Sequence, residues 1–222
     1  MNQQQSNKRG HFYSIILALI IGLIGTAWSL HHPRPQAEQP QLPQAGEGLT
    51  VYLLPAGEGQ CVLATCGGDA LLLDGGSEDF GQTAADYLRS QAVKRIDLLV
   101  SSRPDESCSG GLAAIVQNFP IKTVWASEAP TGAFADALKS AGATAAVPTG
   151  GETFSLGDAK VSVLYSDHAA NALLLELTYG ETSCTIGGAP DRESELLPAS
   201  SRGVTVYVSD GEQFHCLTAS GD

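Results

Sequence analysis

Apolar positions along the chain fall into three regimes. From Phe12 to Leu30 the run FYSIILALIIGLIGTAWSL holds nineteen residues without a charge. From His31 to Gly48 the apolar pattern lapses into HHPRPQAEQPQLPQAGEG, rich in Pro, Gln and Gly. From Leu49 onward short apolar runs alternate with turn residues, the signature of strands and brief helices. The chain therefore divides into a terminal apolar segment (1–30), a polar linker (31–48) and one globular domain (49–222).

Within the domain the runs Leu49–Leu54, Cys61–Thr65 and Ala70–Asp74 predict three strands, joined by turns at Ala56–Gln60 and Gly67–Asp69. Thr83–Ala92 has helical spacing with Thr83 as its N-cap, and a strand at Asp97–Val100 follows. A loop then leads into a helix over Gly110–Asn118, a strand at Thr123–Ala126 and a helix over Thr131–Ala141 that stops at Gly142. Further strands are expected at Ala145–Val147, Thr153–Leu156, Lys160–Tyr165, Leu173–Tyr179 and Ser183–Ile186. A short helix around Arg192–Leu197 precedes a last strand at Val204–Val208. Strands, then strand–helix alternation, then strands again point to a layered α/β sandwich.

About 20 apolar residues cross a bilayer, so Phe12–Leu30 is long enough to span. A cleaved signal peptide is the alternative, but the apolar core is long for one and no convincing small-x-small cleavage site precedes His31. An uncleaved anchor is favoured, with Lys8 and Arg9 holding the amino terminus inside and Trp28 at the far interface. The expected location is the cell membrane, single-pass, with the carboxyl-terminal domain extracytoplasmic. The linker reads as a semi-extended tether.

Composition narrows the partners. The formal net charge is −12 at pH 7, and nearly all the acidic residues lie beyond Leu49. An acidic surface repels phosphate backbones, which argues against direct nucleic-acid binding. The remaining expected partners are the membrane, through residues 12–30, and an unidentified protein or small ligand. The five cysteines, Cys61, Cys66, Cys108, Cys184 and Cys216, lack paired zinc-finger spacing. Cys61 and Cys66 belong to one strand and point to opposite faces, which disfavours a bridge between them.

The chemistry-bearing stretch is Asp97–Gly111, DLLVSSRPDESCSGG. A loop at the carboxyl end of a central strand is where α/β proteins commonly place their sites. Here the loop holds Arg103, Asp105, Glu106, Ser107 and Cys108.

This stretch resembles the metallo-β-lactamase fold, in which a strand runs into Thr-His-x-His-x-Asp-His-x-Gly-Gly and the side chains bind zinc. Counted back from Gly110-Gly111, Ser102 takes the Thr place, Arg103 and Asp105 the first two His places, Ser107 the Asp place and Cys108 the last His place. Other motifs are similar to the extracytoplasmic hydrolase-like domain of ComEC-type competence DNA-uptake proteins. Ala56–Gln60 matches a Val-Gly-Gln-Gly-Asp turn, and Leu72–Gly76 matches Leu-Ile-Asp-Gly-Gly. Asn171–Leu175 followed by Thr185–Gly188 matches a strand leading to Thr-Gly-Asp, so Gly188 stands where the family has its metal-bridging Asp. Ser209–Gly211 is a weaker counterpart of a closing His-His-Gly. The resemblance implies an αββα sandwich in a bacterial envelope protein, with every ligand position changed.

A catalytic zinc needs about three protein ligands and an open position. Arg103 is a permanent cation, Ser107 a poor ligand, and Gly188 has no side chain. Asp105 and Cys108, with His168 recruited from Ser166–His168, are the remaining candidates for a rebuilt catalytic site. An Arg103–Asp105 ion pair filling the vacated space is the simpler expectation. Cys108 is a second candidate, as a nucleophile activated by Arg103 and a nearby helix terminus, but no base is placed for it. The glycine pairs Gly75-Gly76 and Gly110-Gly111 also offer N–H groups to an anion, although no Walker-type lysine follows them. No metal and no other cofactor is expected. The favoured function is binding or regulation without catalysis. A phosphodiesterase-like hydrolase with a rebuilt site and an envelope assembly module are the alternatives.

Overall fold

The computed structural model of the protein describes residues 48–167, 171–188, 197 and 203–217. The expected anchor, the tether before Gly48, His168 and the helix expected to reach Leu197 lie outside them, apart from Leu197 itself. Among the described residues no helix is long and apolar enough to cross a membrane.

Two sheets stack face to face. The larger has the order β12-β11-β1-β2-β3-β4-β5-β6, built from Phe214–Cys216, Thr205–Ser209, Leu49–Leu53, Val62–Cys66, Asp69–Leu73, Ile96–Ser101, Ile121–Ala126 and Ala145–Ala146. The smaller has the order β10-β9-β8-β7, from Thr182–Gly187, Ala172–Tyr179, Ala159–Asp167 and Thr153–Leu156. Strands β3 to β6 run parallel, and the other pairings are antiparallel. The helices are α1 (Gly81–Ser90), the single turn α2 (Glu106–Ser109), α3 (Leu112–Asn118) and α4 (Gly132–Ala141). Among the described residues the layers are thus helices, large sheet and small sheet.

The apolar runs of the parallel strands are continuous because both their faces are buried. Leu71 and Leu73 of β3, with Leu98 and Val100 of β4, point into the core between the sheets and meet Val161, Leu173 and Leu175. Leu72 and Leu99 point the other way, onto Ala84 and Leu88 of α1 and Leu112 and Ile115 of α3. Leu71, Leu72, Leu73, Leu98 and Leu99 are all 0% exposed, and each such side chain contributes roughly 1.5–3 kcal/mol of transfer free energy. The same alternation sends Cys66 into the inter-sheet core and Cys61 into the helix-side core, so the two thiols lie in different layers.

Three local expectations need correction. Helix α1 begins at Gly81 after a 3-10 turn at Glu78–Phe80, so Thr83 lies within its first turn and is not its N-cap. The Ser77 carbonyl starts the coil by accepting the N–H groups of Phe80 and Gly81. The loop before Gly110 is already helical from Glu106, because the Asp105 carbonyl accepts the N–H groups of Cys108 and Ser109. Finally, β12 was not expected. It follows a tight turn in which Asp210 Oδ1 accepts the N–H groups of Glu212 and Gln213, both at 2.8 Å. Ser209–Gly211 therefore builds a hairpin.

Candidate functional site

The parallel order brings the carboxyl ends of β3 and β4 side by side, with Leu73 paired to Val100. The chain turns out of both strands through glycine pairs that interlock. Gly75 donates to the Cys108 carbonyl at 2.8 Å, and Gly111 donates to the Gly76 carbonyl at 2.9 Å. A Cβ on Gly75 would stand 2.8 Å from the Gly111 carbonyl carbon and the Leu112 nitrogen, so a side chain there collides with main chain. Gly76 donates to the Gln60 carbonyl and Gly110 to the Glu106 carbonyl. All four N–H groups are therefore committed to backbone oxygens, which removes the anion cradle that these glycines offered on paper.

Asp74 sits at the centre of this frame. It is fully buried with φ 59°, a conformation that costs a non-glycine residue about 1 kcal/mol or more. Its N–H donates to the Val100 carbonyl at 2.8 Å. Its carboxylate accepts the Ser102 N–H at 2.7 Å and the Ser102 hydroxyl at 2.5 Å. Burial pushes the Asp74 carboxyl up to about 7, although the Ser102 hydrogen bonds pull the other way. Burial and then the Asp74 charge also raise the Cys61 thiol.

Arg103, the next residue along, is brought against Gly188 by a main-chain stitch. The Ser102 carbonyl accepts the Leu173 N–H at 2.9 Å, and the Leu173 carbonyl accepts the Gly188 N–H at 3.2 Å. The start of β9 thus ties the β4 loop to the residue following β10. The Arg103 stem lies over Gly188, where a Cβ would come within 2.9 Å of Cγ and nearer still to Cδ. Arg103 Nε donates to Asp105 Oδ2 at 2.6 Å, the ion pair expected from the sequence. Both side chains are partly exposed, so the pair is worth about 0–1 kcal/mol. Ser107 Oγ donates to the other Asp105 oxygen at 2.5 Å. Burial alone would raise the Asp105 carboxyl, but the Ser107 hydroxyl and the Arg103 guanidinium hold it below its usual value.

Cys108 is 5% exposed, and its thiol is pushed up to about 11, by burial first and then by the Asp74 and Asp105 charges. The opposing effects of Ser107 and Arg103 are smaller. The neighbours of this thiol thus keep it protonated at neutral pH, contrary to the activation that Arg103 and a helix terminus suggested. Its Sγ lies 3.9 Å from Ser107 Oγ.

The structure therefore gathers Arg103, Asp105, Ser107, Cys108 and Gly188 into one cluster beyond the carboxyl end of β4, with Asp74, Ser102 and Cys61 buried beside it. His168 lies outside the described residues. The sequence clue to Asp74 was a carboxylate ending a wholly apolar strand, although charges are rarely buried without a reason. His215 was also passed over: its Nε2 lies 2.8 Å from Asp210 Oδ2, in the β11–β12 hairpin. Beside this cluster, an apolar recess of about 180 Å³ is lined by Leu53, Leu54, Gly59, Gln60, Cys61, Val62, Thr185, Ile186 and Leu197. Gly59 joins the two, since a Cβ there would run into the Ser107 main chain. A larger depression, about 820 Å³, surrounds the β2–β3 turn and the end of α1, where Arg95 is already paired with Asp69 and Asp97.

Zinc, the metal of the resembled family, does not fit these residues. The aliphatic stem of Arg103 lies over Gly188, the position matched to the bridging ligand, and Asp105 is taken by Arg103 and Ser107. Among the described residues no group of three or more His, Cys, Asp or Glu side chains is placed to hold a metal ion.

No protein-family model matches the chain, and no curated protein matches it either. Solved structures do. One is MEM-A1, a subclass B3 metallo-β-lactamase from a soil metagenome library, at 20% identity over 68% of this chain and 63% of that one, with a TM-score of 0.49. Metallo-β-lactamase SMB-1 bound to 2-mercaptoethanesulfonate is 21% identical over 64% and 61%, with a TM-score of 0.48. The Cronobacter sakazakii metallo-β-lactamase with a HARLDQ motif is 15% identical over 63% and 58%, with a TM-score of 0.45. The chain spans about three-fifths of the length of these structures.

Proposed function

We propose that the domain is a metallo-β-lactamase-like sandwich that acts by binding, without metal and without catalysis, held at the outer face of a bacterial membrane by residues 12–30. The observation that carries this reading is the seat of Arg103. Its stem covers Gly188, and its Nε is bound to Asp105 at 2.6 Å. A permanent cation in that place repels a metal ion. The ComEC-type likeness of the glycine turns and the outward placement belong to the same proposal. They rest on the quoted motifs and on the apolar run near the amino terminus.

Nucleophilic chemistry at Cys108 is disfavoured because a thiol pushed up to about 11 supplies little thiolate at neutral pH. Elemental analysis of the purified full chain, alongside a phosphodiesterase assay, tests the proposal. The expected result is zinc far below one equivalent and no turnover. Zinc at full stoichiometry with phosphodiesterase activity would refute it.

A further inference from the structure

The proposed binding role leaves open what is bound, and the set of the Arg103 side chain narrows it. Resting on that reading, we infer that Arg103 receives the carboxylate of a ligand through its two terminal amino groups. The guanidinium is fixed at two points, by the Nε–Asp105 bond at 2.6 Å and by the contact of its stem with Gly188. Among the described residues its terminal nitrogens have no hydrogen-bond partner, and the side chain is 47% exposed. Ser107 donates to the free Asp105 oxygen and so fixes the carboxylate that fixes the arginine. A fork held in this way loses less freedom on binding a ligand than an unpaired arginine would.

Charge selects the class. The paired terminal N–H groups match two oxygens of a carboxylate or of a phosphate alike. Asp105 already offsets one positive charge, and Asp74 adds a second negative group beneath as pH rises past about 7. No second Lys or Arg pairs with this loop among the described residues. A doubly charged phosphate therefore meets net repulsion, whereas a single carboxylate meets far less.

The test is a titration of the isotopically labelled full chain with acetate at constant ionic strength, read from the backbone amide signals of residues 102–110 and 188. Saturable shifts are expected. They should vanish in Arg103→Met and weaken roughly tenfold or more in Arg103→Lys, which keeps the charge but lacks the fork. Inorganic phosphate should bind more weakly than acetate. Shifts that never saturate, that survive in both variants, or that favour phosphate would overturn the inference. Because the same preparation is assayed for zinc, the outcomes separate. A zinc-free protein indifferent to acetate refutes this inference alone, whereas stoichiometric zinc refutes the metal-free reading beneath it.

Discussion

Arg103 and Gly188 occupy each other's space: the arginine stem lies where any Cβ at position 188 would have to go, within 2.9 Å of its Cγ. Gly188 is not in the left-handed region, so the constraint is steric and comes from one side chain. Gly188→Ala should therefore cost about 1 kcal/mol, the usual penalty for mild overpacking with a displaced neighbour. That cost should disappear in an Arg103→Ala background, because the obstruction has gone. A double-mutant cycle by urea unfolding measures the coupling. Additive effects of the two changes would show that the contact is incidental.

Asp74 makes a prediction about pH. Its carboxyl rises from the ordinary range near 4 to about 7 in the folded state, so between those values the native protein holds a proton that the unfolded chain has lost. Stability from this group is complete below about pH 4, declines through the window and levels off above pH 7. Asp74→Asn keeps an acceptor for the Ser102 N–H and a donor for its hydroxyl but cannot ionise. Measured by urea unfolding, the variant should gain on the parent by on the order of 2 kcal/mol between pH 5 and pH 8. A constant difference across that range would contradict the buried-acid assignment.

Thiol reactivity follows burial. Cys61, Cys66, Cys108 and Cys184 are buried and Cys216 is exposed, with no disulfide among them. Ellman's reagent should titrate one thiol quickly in the folded protein at pH 8 and all five after denaturation. Cys216→Ser should abolish the fast phase. Rapid labelling that persisted in this variant and vanished in Cys108→Ser would revive the nucleophile reading.

Ala92 closes helix α1 at φ 59°, with its N–H donating to the Arg89 carbonyl and the Val93 N–H reaching the Leu88 carbonyl. This is the helix-ending turn that glycine ordinarily occupies. Ala92→Gly should stabilise the domain by about 0.5–1 kcal/mol, the strain relieved less the added freedom of the unfolded chain. A melting temperature unchanged or lowered in calorimetry would count against it.

The parts of the fold that were legible were those whose residues face two cores or end in a clear stop. Leu71–Leu73 and Leu98–Val100 read as buried strands because no polar residue interrupts them, and Gly142 ended its helix with φ 68° as its position implied. Thr83 has cap chemistry, but the coil starts earlier, at the Ser77 carbonyl that accepts the Phe80 and Gly81 N–H groups. The glycine at position 81 answers to close packing on Gly111, which leaves no local trace. The Arg103–Asp105 pair was legible because two residues of opposite charge lie two positions apart. The role of Asp74 and the pressing of Arg103 on Gly188 were not, since both depend on hydrogen bonds between segments far apart in the chain.

The interlocked glycines have a consequence for how this corner of the protein tolerates change. The two turns are held by peptide groups satisfying one another, Gly75 with Cys108 and Gly111 with Gly76. Because that scaffold is main chain throughout, replacing the side chains of Arg103, Asp105 or Ser107 removes none of the bonds that hold it.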